Sequence, residues 1–346
     1  MKPGQGERSR LNLLVVPPPQ EDELISSWLS RVADFHGQPL QRLLREIGGA
    51  RDFVATVALD VGRPRNLLRP AAAVLGIDVA QLARQTLLAT YPWAVRLLAG
   101  APVQSHDLRY AACAHCQEEQ RLSCGVMWLR RAWVLAPRTV CAVHHLPLEE
   151  VNTGDIAHPV WARYAGRNRK ISLSTYIAVK PWQDVRSGAP TSAPTDVDHT
   201  GMTTRLRREI ALVEEALLNL AASRKRARAG KGQGRAVIVR DLLWAFTRAD
   251  RHAPDRLLYE ACASEYLDRY CFMSRRRRAG PADFARLSLE SRHAMIATAT
   301  VLTGEPILRR RFLHPPGCLR DDMALIHHHL TDADRDEWRQ RRRDHD

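Results

Sequence analysis

No run of eighteen uninterrupted apolar residues occurs anywhere in the 346-residue sequence, which excludes an obvious membrane-spanning helix. The opening MKPGQGERSRLNLLVVPPP lacks an apolar core of signal-peptide length, since Leu13 to Val16 is ended at once by Pro17, Pro18 and Pro19. A cytoplasmic protein without membrane association is expected. Catalytic signatures are also missing. The stretch GKGQGRA (230–236) does not have phosphate-loop spacing, and neither H-E-x-x-H nor G-x-S-x-G is present, so the chain is expected not to be an enzyme. Cysteine is scarce: seven residues, an odd number unevenly clustered, argue for metal ligation plus a few buried thiols over a disulfide framework. Acidic residues are in deficit, 38 against 52 Lys plus Arg, leaving a net charge of +14. A field of that sign attracts phosphate backbones and gives salt-sensitive binding, so a polyanionic partner, DNA, is expected.

What is present is ordinary for folded chains, with 45% hydrophobic and 26% charged residues, and the length suits two or three domains. After a tail at 1–19, Leu24, Ile25, Trp28, Leu29, Val32 and Phe35 recur at helical spacing behind Glu21, Asp22 and Glu23, acids that favour a helix N-terminus. Gly37 closes that helix. A second amphipathic stretch, Leu40 to Ile47, ends at Gly48-Gly49, and helix continues to about Ala99, so 20–110 reads as an all-α domain. Within it, Leu67 to Leu88 has helix-turn-helix spacing: Ala72 lets two helices approach and Gly76 supplies the left-handed turn. A plain helical hairpin is the competing reading, and Gln85 stands where such motifs usually bury an apolar group.

Residues 113 to 148 change character to short apolar, tryptophan-bearing runs, Val126 to Trp128 and Ala132 to Leu135, which read as a hairpin-like module rather than a helix. Arg186 to Thr204 is rich in Ser, Thr, Pro and Gly and marks a linker ending a connecting segment over 151–204. A basic helical domain over 205–346 follows, with helices expected at Leu206 to Ala222, Arg240 to Thr247, Leu257 to Tyr270, Pro281 to Leu287, Leu289 to Leu302 and Asp334 to Arg343. Ten Lys or Arg against three Glu fall between Arg205 and Arg240. Arg224, Lys225, Arg226, Arg228, Lys231 and Arg235, interleaved with glycine, form a flexible basic loop suited to phosphate contacts.

The chemistry-bearing constellation is Cys113-x2-Cys116, twenty-four intervening residues, then Cys141-x2-His144. Two-residue spacing lets a tight turn aim two soft donors at one ion, and two such turns complete a tetrahedron. Three thiolates and an imidazole leave no open position, so one structural Zn2+ is expected in a small zinc ribbon over 111–150. His115, Cys124 and His145 are alternative ligands. Cys262, Cys271 and Cys318 read as buried thiols, and His327-His328-His329 as a solvated helix face.

The segments PPPQEDELISSWLSRVADFHG, LGIDVAQLARQTL and CAHC, followed by Trp128 to Trp133 and VCAVHHLPL, resemble the TniQ/TnsD family of transposition target-selection proteins. The late LSLESRHAMIATATVLTG is similar to helices of their C-terminal half. The resemblance implies a mainly α fold: a helical N-terminal domain with a helix-turn-helix-like element, a zinc ribbon and a helical C-terminal domain. It implies Cys113, Cys116, Cys141 and His144 as metal ligands, with Trp28 and Trp133 as structural aromatics. No Cys lies between Cys141 and Cys262, so the second ribbon of many relatives is absent or metal-free. By function it implies a non-catalytic adaptor linking DNA, or a guide-RNA targeting complex, to an AAA+ transposition ATPase and through it to the transposase complex. A zinc-containing helix-turn-helix transcription regulator is the alternative.

Overall fold

The computed structural model describes residues 15–48, 58–62, 65–91, 110–150, 196–219, 231–254, 256–259, 284, 287, 289–312 and 319–343. These residues are mainly α-helical and belong to two compact units, one of 1–135 with 150–169 and one of 136–149 with 170–346.

In the first unit, α1 (Ile25–Phe35) buries Ile25, Trp28, Leu29 and Val32 on the face that the apolar spacing marks out, and Gly37 at φ 61° follows it. Phe35, expected on that face, is instead 61% exposed, its ring edge-on to His36 at the end of the helix. Leu40, Leu43, Leu44 and Ile47 of α2 (Leu40–Gly48) add to the same core. A 3-10 turn at Arg65–Leu67 leads into α3 (Leu68–Leu75), which contributes Ala71, Ala72 and Leu75. Gly76 ends α3 in the left-handed region (φ 65°, ψ 28°), and Ile77 N–H reaches back to the Ala72 carbonyl at 3.0 Å. Asp78 then caps α4 (Val79–Arg84), its Oδ1 accepting from Ala80 N at 2.8 Å and Gln81 N at 3.1 Å. Leu82 of α4 is fully buried, whereas Val79, Ala80, Gln81 and Arg84 face outward. Thr86 caps the short α5 (Leu87–Thr90).

The three acids ahead of α1 do not sit in its first turn. Glu23 is fully buried and forms a salt bridge with Arg31, two turns along the helix, at 2.6 Å. It also accepts from Ser27 Oγ at 3.1 Å and from Gln20 N at 2.8 Å. Asp22, at φ 56°, pairs with Arg131 at 3.2 Å. Glu23 and Asp22 therefore anchor the chain entering α1 instead of complementing its dipole.

In the second unit, α6 (Asp196–Asn219), α7 (Lys231–Phe246) and α8 (Leu289–Leu302) pack on one another around Leu206, Ile210, Val239, Leu242, Phe246 and Ile296. Helices α9 (Pro306–Phe312), α10 (Leu319–His329) and α11 (Asp332–Arg343) complete it, with Trp338 of α11 edge-on to Trp244 of α7. The last nine residues of the expected linker, 196–204, are already helical, and α7 begins nine residues earlier than Arg240. Gly232 and Gly234 hid that start, because tertiary burial of Ala236 and Val239 outweighs weak local propensity. The expected helices at 257–270 and 281–287 lie mostly outside the described residues, as do Cys262, Cys271 and Cys318. No described helix is long and apolar enough to cross a membrane.

Candidate metal centre

Residues 111–150 begin and end on two-residue strands, β1 (Ala111–Ala112) and β2 (Glu149–Glu150), which pair with each other. Cys113 follows β1 in extended conformation and is the N-cap residue of α12 (Ala114–Cys124), so Cys116 falls in the first turn of that helix. Expecting a hairpin-like module without a helix was wrong here. Gln117, Glu118, Glu119, Gln120 and Arg121 are strong helix formers, and Gly125 stops the helix at φ 72° with its N–H on Arg121 O at 3.0 Å. Gln120 Oε1 accepts from Trp128 N at 3.0 Å, which returns the chain along the buried face of α12. The tryptophan run continues as a 3-10 turn, Arg131–Val134, with Trp133 buried as expected; Trp28 is buried too and donates to Pro17 O at 2.7 Å.

The second pair sits on a tight turn. Val140 and Pro147 are bridged, Cys141 N donates to Leu146 O at 2.8 Å, and His145 N donates to Cys141 O at 2.9 Å with His145 at φ 52°. His144 N points at Cys141 Sγ at 3.5 Å, a backbone donor that stabilises a thiolate.

One donor atom from each of Cys113, Cys116, Cys141 and His144 lies within 4.8 Å of the others, with all three cysteines buried and unbridged. Bond lengths of about 2.3 Å to sulfur and about 2.0 Å to nitrogen put tetrahedral edges at about 3.5 to 3.8 Å. The Cys141 Sγ to His144 Nδ1 separation of 3.8 Å is close to the sulfur-to-nitrogen edge of about 3.5 Å. Three soft thiolates with one imidazole favour zinc over hard cations. Cys124 and His115 are exposed, and neither belongs to this cluster.

The turn bearing Cys141 and His144 rests on a buried polar network that sequence reasoning missed. Glu214 of α6, fully buried, accepts from Thr139 N at 2.8 Å and Val140 N at 3.2 Å, while Arg138 lies 3.5 Å from the same carboxylate. Burial pushes the Glu214 carboxyl up to about 7. Thr139 Oγ1 also meets His293 Nδ1 at 2.9 Å, and burial drives that imidazole down to about 4. Arg292, on α8, donates to Ala136 O at 2.9 Å. The only sequence signal was an acid, Glu214, set among the apolar residues of a helix.

Of the residues expected to touch phosphates, Arg224, Lys225, Arg226 and Arg228 lie outside the described residues, and Lys231 is the first residue of α7. Arg235 is turned inward: it pairs with Glu209 at 2.6 Å and donates to Thr300 O at 3.0 Å and Thr303 Oγ1 at 3.3 Å.

Residues 14–148 match the family model TniQ, a span that runs from just before α1 to the end of the Cys141 turn and takes in all four clustered donors. This stretch is similar to the TniQ family. TniQ proteins are non-catalytic adaptors, and the likeness supports a general role in transposition target selection in company with transposition machinery. The TniQ match does not extend beyond residue 148. No curated protein and no solved structure matches the chain.

Proposed function

We propose that the protein is a target-selection adaptor that links DNA, or a guide-RNA targeting complex, to an AAA+ transposition ATPase, which in turn engages the transposase. The observation that carries this reading is the TniQ-like stretch with its cluster of Cys113, Cys116, Cys141 and His144. One structural Zn2+ bound by these four residues would staple a module too small to hold its shape through apolar burial alone. The functional parts we assign are a helical domain at 20–110, a zinc module at 111–150, a connecting segment at 151–204 and a basic helical domain at 205–346. The N-terminal part takes the ATPase and the basic part, with Arg224, Lys225, Arg226, Arg228 and Lys231, takes nucleic acid.

A regulator of transcription is the second reading, favoured by α3, the Gly76 turn and α4 with its outward Gln81 and Arg84, an arrangement able to present a helix to a groove. Pull-down of the full chain with an AAA+ transposition ATPase from the same transposon separates the two. Retention of the ATPase supports the adaptor, whereas sequence-specific DNA binding with no ATPase retained supports the regulator.

A further inference from the structure

Three imidazoles in the second unit gather at one point. His328 and His329 form the last turn of α10, and His252 stands on the loop after α7. The ring centroids of His252 lie 5.1 Å from His328 and 5.3 Å from His329, and those of His328 and His329 are 5.8 Å apart. Beneath them Asp250, 4% exposed, meets His329 Nδ1 at 3.1 Å and accepts from His252 N at 3.0 Å. We propose that His252, His328 and His329, with Asp250 orienting His329, form a second, surface site for a divalent transition-metal ion such as zinc or nickel.

The ring centres stand about as far apart as those of imidazoles sharing an ion, although the donor nitrogens do not yet converge. With metal to nitrogen bonds of about 2.0 Å, ring centres lie about 3 Å from the metal, and two rings at a tetrahedral angle are then about 5 Å apart. A carboxylate on the far nitrogen is the usual partner of a ligating histidine, because it fixes the tautomer and aims the other nitrogen outward. The backbone holds the two segments together: Arg251 N donates to His329 O at 2.8 Å, and the loop is closed by the Ala249 to Leu257 bridge and by Asp250 N on Arg256 O at 3.0 Å. The carbonyl end of α10 and the buried carboxylate both favour a cation over an anion. The rings are not yet turned to one point, with interplanar angles of 35° to 87°, so His252 and His328, both exposed, rotate about their side-chain bonds to close on the ion.

A run of three histidines binds metal weakly on any exposed helix, so His252, far from that run in sequence, is the discriminating residue. Untagged full-length protein, dialysed to retain tightly held metal, is titrated with Zn2+ by calorimetry. One further binding event per chain is expected, weakened at least about tenfold in His252→Ala and about 10- to 100-fold in Asp250→Asn, and unchanged in His327→Ala. The absence of this event in the wild-type protein, or its persistence at full affinity in His252→Ala, overturns the site. His252 is exposed, so its substitution leaves the fold intact, as the thermal transition will show. Failure of the cysteine centre is distinguishable: the dialysed protein would then hold no zinc while the His252-dependent event remained.

Discussion

Glu23 and Arg31 illustrate how one pair of residues can be visible in the sequence and still be misread. Three acids before an apolar period suggest a helix dipole effect, because that is a local signal; a salt bridge eight residues apart depends on the chain turning back on itself. The pair is nearly fully buried, so Glu23→Ala leaves Arg31 charged without its partner and is expected to cost about 3 kcal/mol, read from the denaturant midpoint. A loss below about 1 kcal/mol would show the pair to be solvated. Asp60 gives a second expectation. Buried and hydrogen-bonded by Ser26 N at 2.7 Å and Tyr110 Oη at 3.0 Å, its carboxyl is raised by burial from 3.8 to about 6. A raised carboxyl binds its proton more tightly in the folded state, so its contribution is full below pH 3.8 and is lost as pH rises through about 6. That loss amounts to about 3 kcal/mol, and Asp60→Asn should flatten the fall in thermal stability between pH 4 and pH 7. An identical pH profile in the variant would contradict it. The cysteine centre was the most legible feature of all, since two C-x-x-C-type spacings are purely local. If the cluster holds the zinc that we propose, Cys141→Ser loses it in metal analysis, and full zinc in that variant would remove Cys141 from the ligand set.

Among the elements, legibility followed how far each depends on distant packing. Helix α8 has the bounds that its sequence period predicts, Leu289–Leu302, and the α3 to α4 turn falls at Gly76 as its spacing requires. Helix α12 was hidden because tryptophan-rich flanks and metal-ligand spacing suggested a hairpin, although its own residues are good helix formers. Helices α9 and α10 carried no recognised period, and the start of α7 was obscured by glycines whose cost is offset by burial. At Gly76 an added Cβ meets nothing within 4 Å, so the only penalty of Gly76→Ala is its left-handed backbone. A destabilisation of about 1 to 2 kcal/mol is expected in denaturant unfolding, and no measurable loss would mean that the turn relaxes to another conformation.

For the whole molecule, a net charge of +14 and a likeness to the TniQ family over residues 14–148 set the terms. With Arg235 paired to Glu209, the phosphate contacts that we propose rest on the remaining basic residues between Ser223 and Gly232. Replacing Arg224, Lys225, Arg226 and Arg228 with alanine should flatten the dependence of DNA affinity on salt by about one logarithmic unit for each phosphate that is no longer neutralised. An unchanged slope would remove this segment from the interface. Selection of a target, and not binding alone, is what defines an adaptor of this kind. The direct measurement is therefore the map of insertion sites in transposition reconstituted from the transposase, the AAA+ ATPase and the targeting component, with and without this protein. Insertions are expected to concentrate at the selected site only when the protein is present, and to disperse when Cys141→Ser replaces it. An insertion map that is the same with and without the protein would contradict the adaptor function.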